Sequence, residues 1–528
     1  MNASCPRFIH RLLRIVGWAW LGIVLPSSLI WAQATGVEGQ RVADQGDGNY
    51  LNPVLAGDHA DPSVLKQGDD YYMVHSSFGF VPGLLIWHSR DLVNWQPIGA
   101  ALRRHVGVVW APDLSFHDGR YHIYFPVLTS KGFTNMVVTA STIRGPWSEP
   151  VDLQVGNFDP GHAVDDEGNR FLFFNGGNMA PLSADGLRIS GPSRHVYDGW
   201  PIPEDWKIET FGQEGPKMLR HGDYHYMVLA EGGTAGPATS HMVLMARAKS
   251  LDGPWENSPY NPVLRTRSSD EKWWSRGHAT LIEGPDEKQW YLLYHAYENG
   301  YYNLGRQTLL EPVTWTEDGW VKAILPDADS PIRMPEGGTR LASGMALSDE
   351  FATDEVGRRW AFFMPKAPIE QLYRIADHTL TLKATGSTPG DTSPLTLTAG
   401  DHAYEIEVEI ERDPGATGGL LLFYNERLFA GLGFSSSRMV EYWKGETSEF
   451  DKPAQIGDRY FLRIRNDHHH VTVWYSADGS QWTKHWMHFE VSGYHHNVGG
   501  GFLALRPALL ATGEGDVRFR HFRYRALP

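Results

Sequence analysis

Five segments between residues 45 and 325 share one arrangement of apolar and polar positions. A carboxylate or His beside Pro or Gly opens each one. An apolar strand follows, then a charged or Gly-containing corner, then a strand rich in aromatics. The first runs Asp61-Pro62-Ser63-Val64-Leu65, Gly68-Asp69-Asp70, Tyr71-Tyr72-Met73-Val74. The second has Ala111-Pro112-Asp113-Leu114 before Tyr121-His122-Ile123-Tyr124, and the third Asp159-Pro160 before Phe171-Leu172-Phe173-Phe174. The fourth has Glu214-Gly215-Pro216 before Tyr224-His225-Tyr226-Met227, and the fifth Gly277-His278-Ala279 before Trp290-Tyr291-Leu292-Leu293. Several repeats close on a Trp after a turn, as in Ser89-Arg90-Asp91-Leu92-Val93-Asn94-Trp95 and Lys249-Ser250-Leu251-Asp252-Gly253-Pro254-Trp255. A period of about 50 to 65 residues with four short strands each predicts a five-bladed β-propeller over residues 35–325. The openers then fall at equivalent places around one mouth of the central channel.

The repeat stops near residue 325. Pro331, Pro335, Gly337 and Gly338 mark a linker, 326–343. From 344 to 528 polar and apolar residues alternate, as in Tyr404-Glu405-Ile406-Glu407-Val408-Glu409-Ile410 and Val517-Arg518-Phe519-Arg520-His521-Phe522-Arg523-Tyr524. That alternation predicts a β-sandwich (concanavalin or jelly-roll-like) with one wet face per sheet. The fold class is therefore all-β.

The first 34 residues read differently. Arg7, Arg11 and Arg14 precede an apolar run over 15–30 that ends in Ala32-Gln33-Ala34. This is the pattern of a secretory signal peptide cut near Ala34, and the run is short for a membrane span. It predicts a secreted or periplasmic protein with no membrane segment in the mature form. Composition narrows the partners. The 528 residues carry a net charge of −15, which argues against nucleic acid. One Cys rules out an internal disulfide framework and a Cys-based zinc site.

Three openers are carboxylates: Asp61, Asp159 and Glu214. Carboxyls that share one cavity resist simultaneous ionisation, which lets one serve as an acid while another serves as a base. Glycoside hydrolysis needs such a pair. The alternative is that Asp-Pro and Glu-Gly-Pro are turn formers without chemistry. Their common phase in one repeat favours the shared site.

These residues bring the chain to a known family. The runs Asp61-Pro62-Ser63-Val64, Ser76-Ser77-Phe78, Val109-Trp110-Ala111-Pro112-Asp113, Asn157-Phe158-Asp159-Pro160, Glu214-Gly215-Pro216, Gly277-His278-Ala279 and Leu304-Gly305-Arg306-Gln307 resemble glycoside hydrolase family 43, the five-bladed β-xylosidases and α-L-arabinofuranosidases. The sandwich resembles the accessory domain of the family's xylosidases. The resemblance implies inversion with three roles: Asp61 as general base, Glu214 as general acid, and Asp159 as the carboxylate that holds the acid and raises its pKa. It assigns Arg306 to sugar hydroxyls in the terminal subsite, with a surface ion pair as the alternative. Phe78 and Trp110 would form the apolar wall of the sugar pocket, with core packing as the rival. His278 matches the His near the channel axis, where family members often hold a calcium or other small ion. It would be a metal ligand or a structural or substrate-positioning His, and no cofactor is required for the reaction.

The expected function is an exo-acting inverting glycoside hydrolase that releases a terminal pentose, β-D-xylose, from oligosaccharides or polysaccharides of plant origin. An α-L-arabinofuranosidase on the same scaffold and a non-catalytic carbohydrate-binding propeller are the alternatives. The chain departs from the family pattern in its short excursion Ala296–Gly305 before Arg306, where typical xylosidases have a longer loop. Asp113 and Glu231 read as structural support, and His468-His469-His470 as a solvated turn.

Overall fold

Between Ser63 and Ala323 five antiparallel sheets follow one another in chain order, and each contains the four consecutive strands of a propeller blade. This computed structural model describes residues 41–528, so the expected signal peptide, 1–34, lies outside the described residues. The innermost strands are Ser63–Gln67, Asp113–His117, Gly161–Val164, Thr210–His221 and Trp273–Glu283. A single sheet with two apolar faces must be covered on both, and the ring does so by stacking blade on blade. Each of the five interfaces has its own apolar cluster. Val64, Met73 and Trp87 of blade one meet Leu293 and Leu310 of blade five, and this contact closes the ring. The other four join blades one and two, two and three, three and four, and four and five. The chain preceding blade one reinforces the closure: the Val54 N–H donates to Thr308 O at 2.9 Å and the His59 N–H to Arg306 O at 2.8 Å.

The turns behave as their sequences predict. Asp91 Oδ1 accepts from the N–H groups of Val93 and Asn94, and Trp95 is fully buried with its Nε1–H on Leu92 O at 2.7 Å. Two inner strands are interrupted. In blade four the register shifts on both sides of Glu214, and in blade five on both sides of Gly277. Such bulges re-aim side chains and recur beside active sites.

The second module is a sandwich of an eight-stranded and a seven-stranded sheet. The seven-stranded sheet has the expected wet face, since Arg459–Asp467 alternates between buried and more open positions. The eight-stranded sheet does not. Its central strands Ala416–Asn425 and Arg506–Gly513 are buried on nearly every residue, because its outer face packs against the propeller. Ala60, Phe78, Phe80 and Val81 of blade one share one apolar cluster with the sandwich core. Phe80–Val81 is also the edge strand of that sheet and pairs with Ala361–Phe363. The segment 326–343 is correspondingly not a free tether. Ile332–Arg333 pairs with Asn49–Tyr50, and the Thr339 N–H donates to Arg90 O at 3.1 Å. Among the described residues no helix is long and apolar enough to cross a membrane.

One ion pair crosses the junction in a fully covered setting. Arg506 Nη2 lies 3.3 Å from Asp58 Oδ2, with side chains only 10% and 2% exposed, and the guanidinium stacks over Phe80 at 3.6 Å. Removing one partner leaves a buried charge alone, at a cost of about 3–5 kcal/mol. Arg506→Ala is therefore expected to lower the urea midpoint by that amount of stability, and an unchanged midpoint would show that the junction does not depend on the pair.

Candidate active site

At the hub, residues from all parts of the chain converge on one cavity of about 330 Å³. It is lined by Asp61, Asp159, Glu214, His278, Arg306, Phe78, Trp110, Ala111, Thr234 and Phe502. Asp61 and Asp159 stand immediately before the inner strands of blades one and three, while Glu214 and His278 stand at the bulges of blades four and five. All seven residues that the sequence singles out as candidates thus line one site.

The backbone there is unusual. Asp61, Phe78, Asp159 and His278 have φ of 60°, 48°, 54° and 50°. Left-handed conformations are uncommon for side-chain-bearing residues and each costs on the order of 1 kcal/mol or more, so four in one pocket mark a place where aiming side chains outweighs backbone comfort. Gly215, at φ +61°, has a second reason to be glycine: a Cβ there would sit 2.7 Å from His278 Nδ1.

His278 is the centre of the electrostatics. Its Nδ1 lies 3.6 Å from Asp61 Oδ1, and its Nε2 lies 3.3 Å from Asp159 Oδ2 and 3.6 Å from Glu214 Oε1. Burial acts to lower its pKa, but Asp61, Asp159 and Glu214 outweigh burial and push it up to about 10. The ring is an imidazolium at neutral pH. Arg306 supplies the second cation, its Nη1 2.9 Å from Asp61 Oδ1 with both side chains 5% exposed. Burial raises the Asp61 pKa, yet Arg306, then His278 and His295, hold the carboxyl well below the ordinary carboxylate range. Glu214 moves the other way. Burial pushes it up, the His278 contact opposes that, and Asp159 and Asp61 reinforce it, so the net shift is upward. Formal charge explains the contrast. Negative charge at Asp159 and Asp61 opposes ionisation of Glu214, whereas the cation at Arg306 favours ionisation of Asp61. Glu214 also keeps 21% of its side chain open, against 5% for Asp61 and 4% for Asp159.

The remaining candidates resolve as follows. Arg306 is buried, not on the surface, and its guanidinium lies between Phe78 at 5.7 Å and Phe502 at 5.3 Å. Phe78 is both a core residue and a pocket wall, so its two readings hold together. Trp110 is half-buried against Phe133 and Phe502. Asp113 ties blades together, accepting from the His162 N–H at 2.9 Å and facing Lys217 Nζ at 3.1 Å. Glu231 faces away from the cavity: its Oε1 accepts the Trp200 N–H at 3.1 Å, and burial pushes its carboxyl up to about 7. The tract 468–470 is the turn the sequence predicts, with His468 and His470 exposed, and His469 alone departs from it. Its Nε2 bonds Gly300 O at 2.7 Å and its Nδ1 lies 3.2 Å from Asn303 Nδ2. It thereby anchors the short excursion that leads into Arg306.

Three contributors escaped the sequence. Phe502 comes from a loop of the sandwich, where it stacks on His496 at 3.7 Å. Its one signal was a Gly499-Gly500-Gly501 run in front of an aromatic. His295 accepts the Asp61 N–H on Nδ1 at 3.1 Å, and burial first, then Arg306, lowers its pKa to about 3, so it is neutral. Its ring clusters with those of His241 and His278, the centroids 5.4 Å and 5.5 Å from it and 5.7 Å from each other. His241 lies fully buried, 3.6 Å from Glu214 Oε1. Both histidines read as ordinary strand positions in the sequence.

Residues 50–321 match Glycosyl hydrolases family 43, and residues 348–525 match the Beta xylosidase C-terminal Concanavalin A-like domain. The chain belongs to glycoside hydrolase family 43. It is 34% identical over 311 residues to a xylan 1,3-beta-xylosidase of a Vibrio species, covering 51% of this chain and 56% of that protein. It is 30% identical over 363 residues to a non-reducing end alpha-L-arabinofuranosidase of Bacteroides ovatus, covering 64% and 65% respectively. The matched part is thus a little over half to just under two thirds of each relative's own length. In three dimensions it is similar to the family 43 protein BlXynB of Bacillus licheniformis, with a TM-score of 0.81, 26% identity, and coverage of 91% of this chain and all of that one.

The upward shift of Glu214 and downward shift of Asp61 fix a pH dependence. If turnover needs Glu214 protonated and Asp61 ionised, kcat/KM falls as pH rises through the Glu214 pKa, above the ordinary glutamate value near 4.3, and stays high on the acid side to below the usual aspartate value near 3.9. A pH–rate profile showing both limbs at ordinary carboxylate positions would contradict this electrostatic account. Phe502→Ala is expected to raise KM on the order of tenfold, the effect of losing about 1.4 kcal/mol of apolar contact, in steady-state kinetics.

Proposed function

We propose that this chain is an exo-acting, inverting glycoside hydrolase that releases a terminal pentose, β-D-xylose, from oligosaccharides derived from plant polysaccharides. The observation that carries this reading is the convergence of Asp61, Asp159 and Glu214 on one pocket, with Asp61 and Glu214 displaced in opposite directions. In this reading Glu214 protonates the departing glycosidic oxygen, and its greater exposure suits the group that must reach the leaving sugar. Asp61, kept ionised by Arg306, takes a proton from a water that attacks the anomeric carbon. Asp159 adds the nearby negative charge that, after burial, raises the Glu214 pKa against the opposing pull of His278. The span of one imidazolium between Asp61 and Glu214 is compatible with the roughly 6.5–9.5 Å that an inverting pair uses to admit water. Arg306 offers its remaining N–H donors to sugar hydroxyls, and Phe78, Trp110 and Phe502 cover the apolar faces of the ring.

A second reading, α-L-arabinofuranosidase, is favoured by the similarity to the Bacteroides ovatus protein. Release of product from the two aryl pentosides separates them, and the anomeric form of sugar freed from natural oligosaccharides, followed by NMR, tests inversion. β-Xylotriose is expected to yield α-xylose first; β-xylose as the initial product would overturn the inverting assignment. Glu214→Gln is expected to lose at least about 100-fold in kcat on natural substrates, the scale of general acid catalysis.

The reaction proposed here needs no cofactor. Glu214, His241 and His278 place ligand atoms within 4.8 Å of one another. They do not fit direct binding of calcium, which asks for six to eight oxygens, and an imidazolium at His278 has no lone pair to give. Export to the periplasm or beyond rests on the segment 1–34. Amino-terminal sequencing of the protein from its native host is expected to begin just after Ala34.

A further inference from the structure

The two oxygens of Asp61 are held differently. Oδ1 lies 2.9 Å from Arg306 Nη1 and 3.0 Å from His295 Nδ1, and also faces His278 Nδ1 at 3.6 Å. Oδ2 accepts a hydrogen bond from Ser76 Oγ at 2.5 Å. A carboxylate turns easily about its last torsion, which has broad wells. The neighbours of Oδ1 restrain that rotation from one side, and the Ser76 donor on Oδ2 fixes it from the other. Each oxygen has about two lone-pair directions, so Ser76 fills one on Oδ2 and leaves the other open.

Ser76 is itself tied to the backbone beside the base. Its N–H donates to Ala60 O at 3.2 Å, which extends the ladder of the Ser63–Gln67 and Asp70–Val74 hairpin by one rung toward Asp61. Two residues on, Phe78 forms part of the pocket wall. One short segment therefore sets both the base and a face of the sugar site. On its other side Ser76 borders a separate cavity of about 680 Å³ between blade one and the sandwich, which it shares with Ser77, His75 and Asp58.

We propose that Ser76 is a positioning residue whose hydroxyl holds the Asp61 carboxylate in the rotation that presents the free lone pair of Oδ2 to the attacking water. This rests on Asp61 acting as the base. It predicts that the hydroxyl, and not the bulk of the side chain, sets the rate. Ser76→Thr keeps the hydroxyl and adds a methyl, and Ser76→Val has the same shape without it.

The test is steady-state kinetics on an aryl β-xyloside for wild type and the Ser76→Ala, Ser76→Val and Ser76→Thr variants, with thermal unfolding of each. Ser76→Ala and Ser76→Val are expected to lose about 10- to 100-fold in kcat, the range for a hydrogen bond to a charged group, with KM within about threefold. Ser76→Thr is expected to recover to within about fivefold of wild type. Because Ser76→Ala only removes one atom, it serves as the decisive variant if either larger side chain fails to fold. The role is overturned if Ser76→Ala keeps kcat within twofold, if Ser76→Thr falls as far as Ser76→Val, or if the loss lies in KM. An active wild type whose Asp61→Asn variant keeps full rate would remove Asp61 as the base, and this role with it, while leaving the family membership intact.

Discussion

The site depends on one buried imidazolium. His278 carries its charge because three carboxyls surround it, and those carboxyls tolerate burial because His278 and Arg306 are there. Buried charges persist only when matched and hydrogen-bonded. Burial, then the charges of Asp159 and Asp61, raise the Glu214 pKa, and His278 opposes them. The fold supplies the convergence, since the four groups reach the axis from blades one, three, four and five. No local stretch of chain could bring them together, and left-handed backbone at Asp61, Asp159 and His278 is the conformational cost of aiming them at one point.

The second constraint is that the propeller is not finished by its own blades. Its site borrows Phe502 from the sandwich, and the short excursion before Arg306 is pinned from the same side. The His469 contacts, with Asn303 Nδ2 on Val491 O at 3.2 Å and the Leu505 N–H on Asn303 O at 2.8 Å, hold that excursion in place. A short loop suffices because a neighbour supports it. The eight-stranded sheet has two dry faces for the same reason.

Much of this was legible in the chain. The repeat of turn, strand, corner and aromatic strand gave the blades, because each blade is a local hairpin stack and its pattern is written locally. The phase of the openers gave Asp61, Asp159, Glu214 and His278, because equivalent positions in a closed ring are neighbours in space. Arg306, Phe78 and Trp110 came from the family resemblance. What was not legible depends on contact between distant modules. Phe502 sits almost 200 residues after Arg306 in a loop whose own sequence says only that it turns. His295 and His241 lie on strands where His is compatible with any environment, and only the closed ring shows them clustered beneath the base. The wet face expected on both sheets was wrong for one of them, since Leu420, Leu421 and Leu422 in succession are a sign of burial on two sides that alternation elsewhere concealed.

Phe80–Val81 has a consequence for how such proteins can be rearranged. A stretch of blade one completes a sheet that otherwise belongs to the second module, so the seam between the modules includes a short main-chain pairing beside its apolar contacts. Either half, swapped onto a foreign partner, would present a raw strand border seeking another chain. Recombination that treats the two modules as interchangeable cassettes would therefore select for sticky chimeras, and lineages carrying this seam should inherit both halves as a single unit.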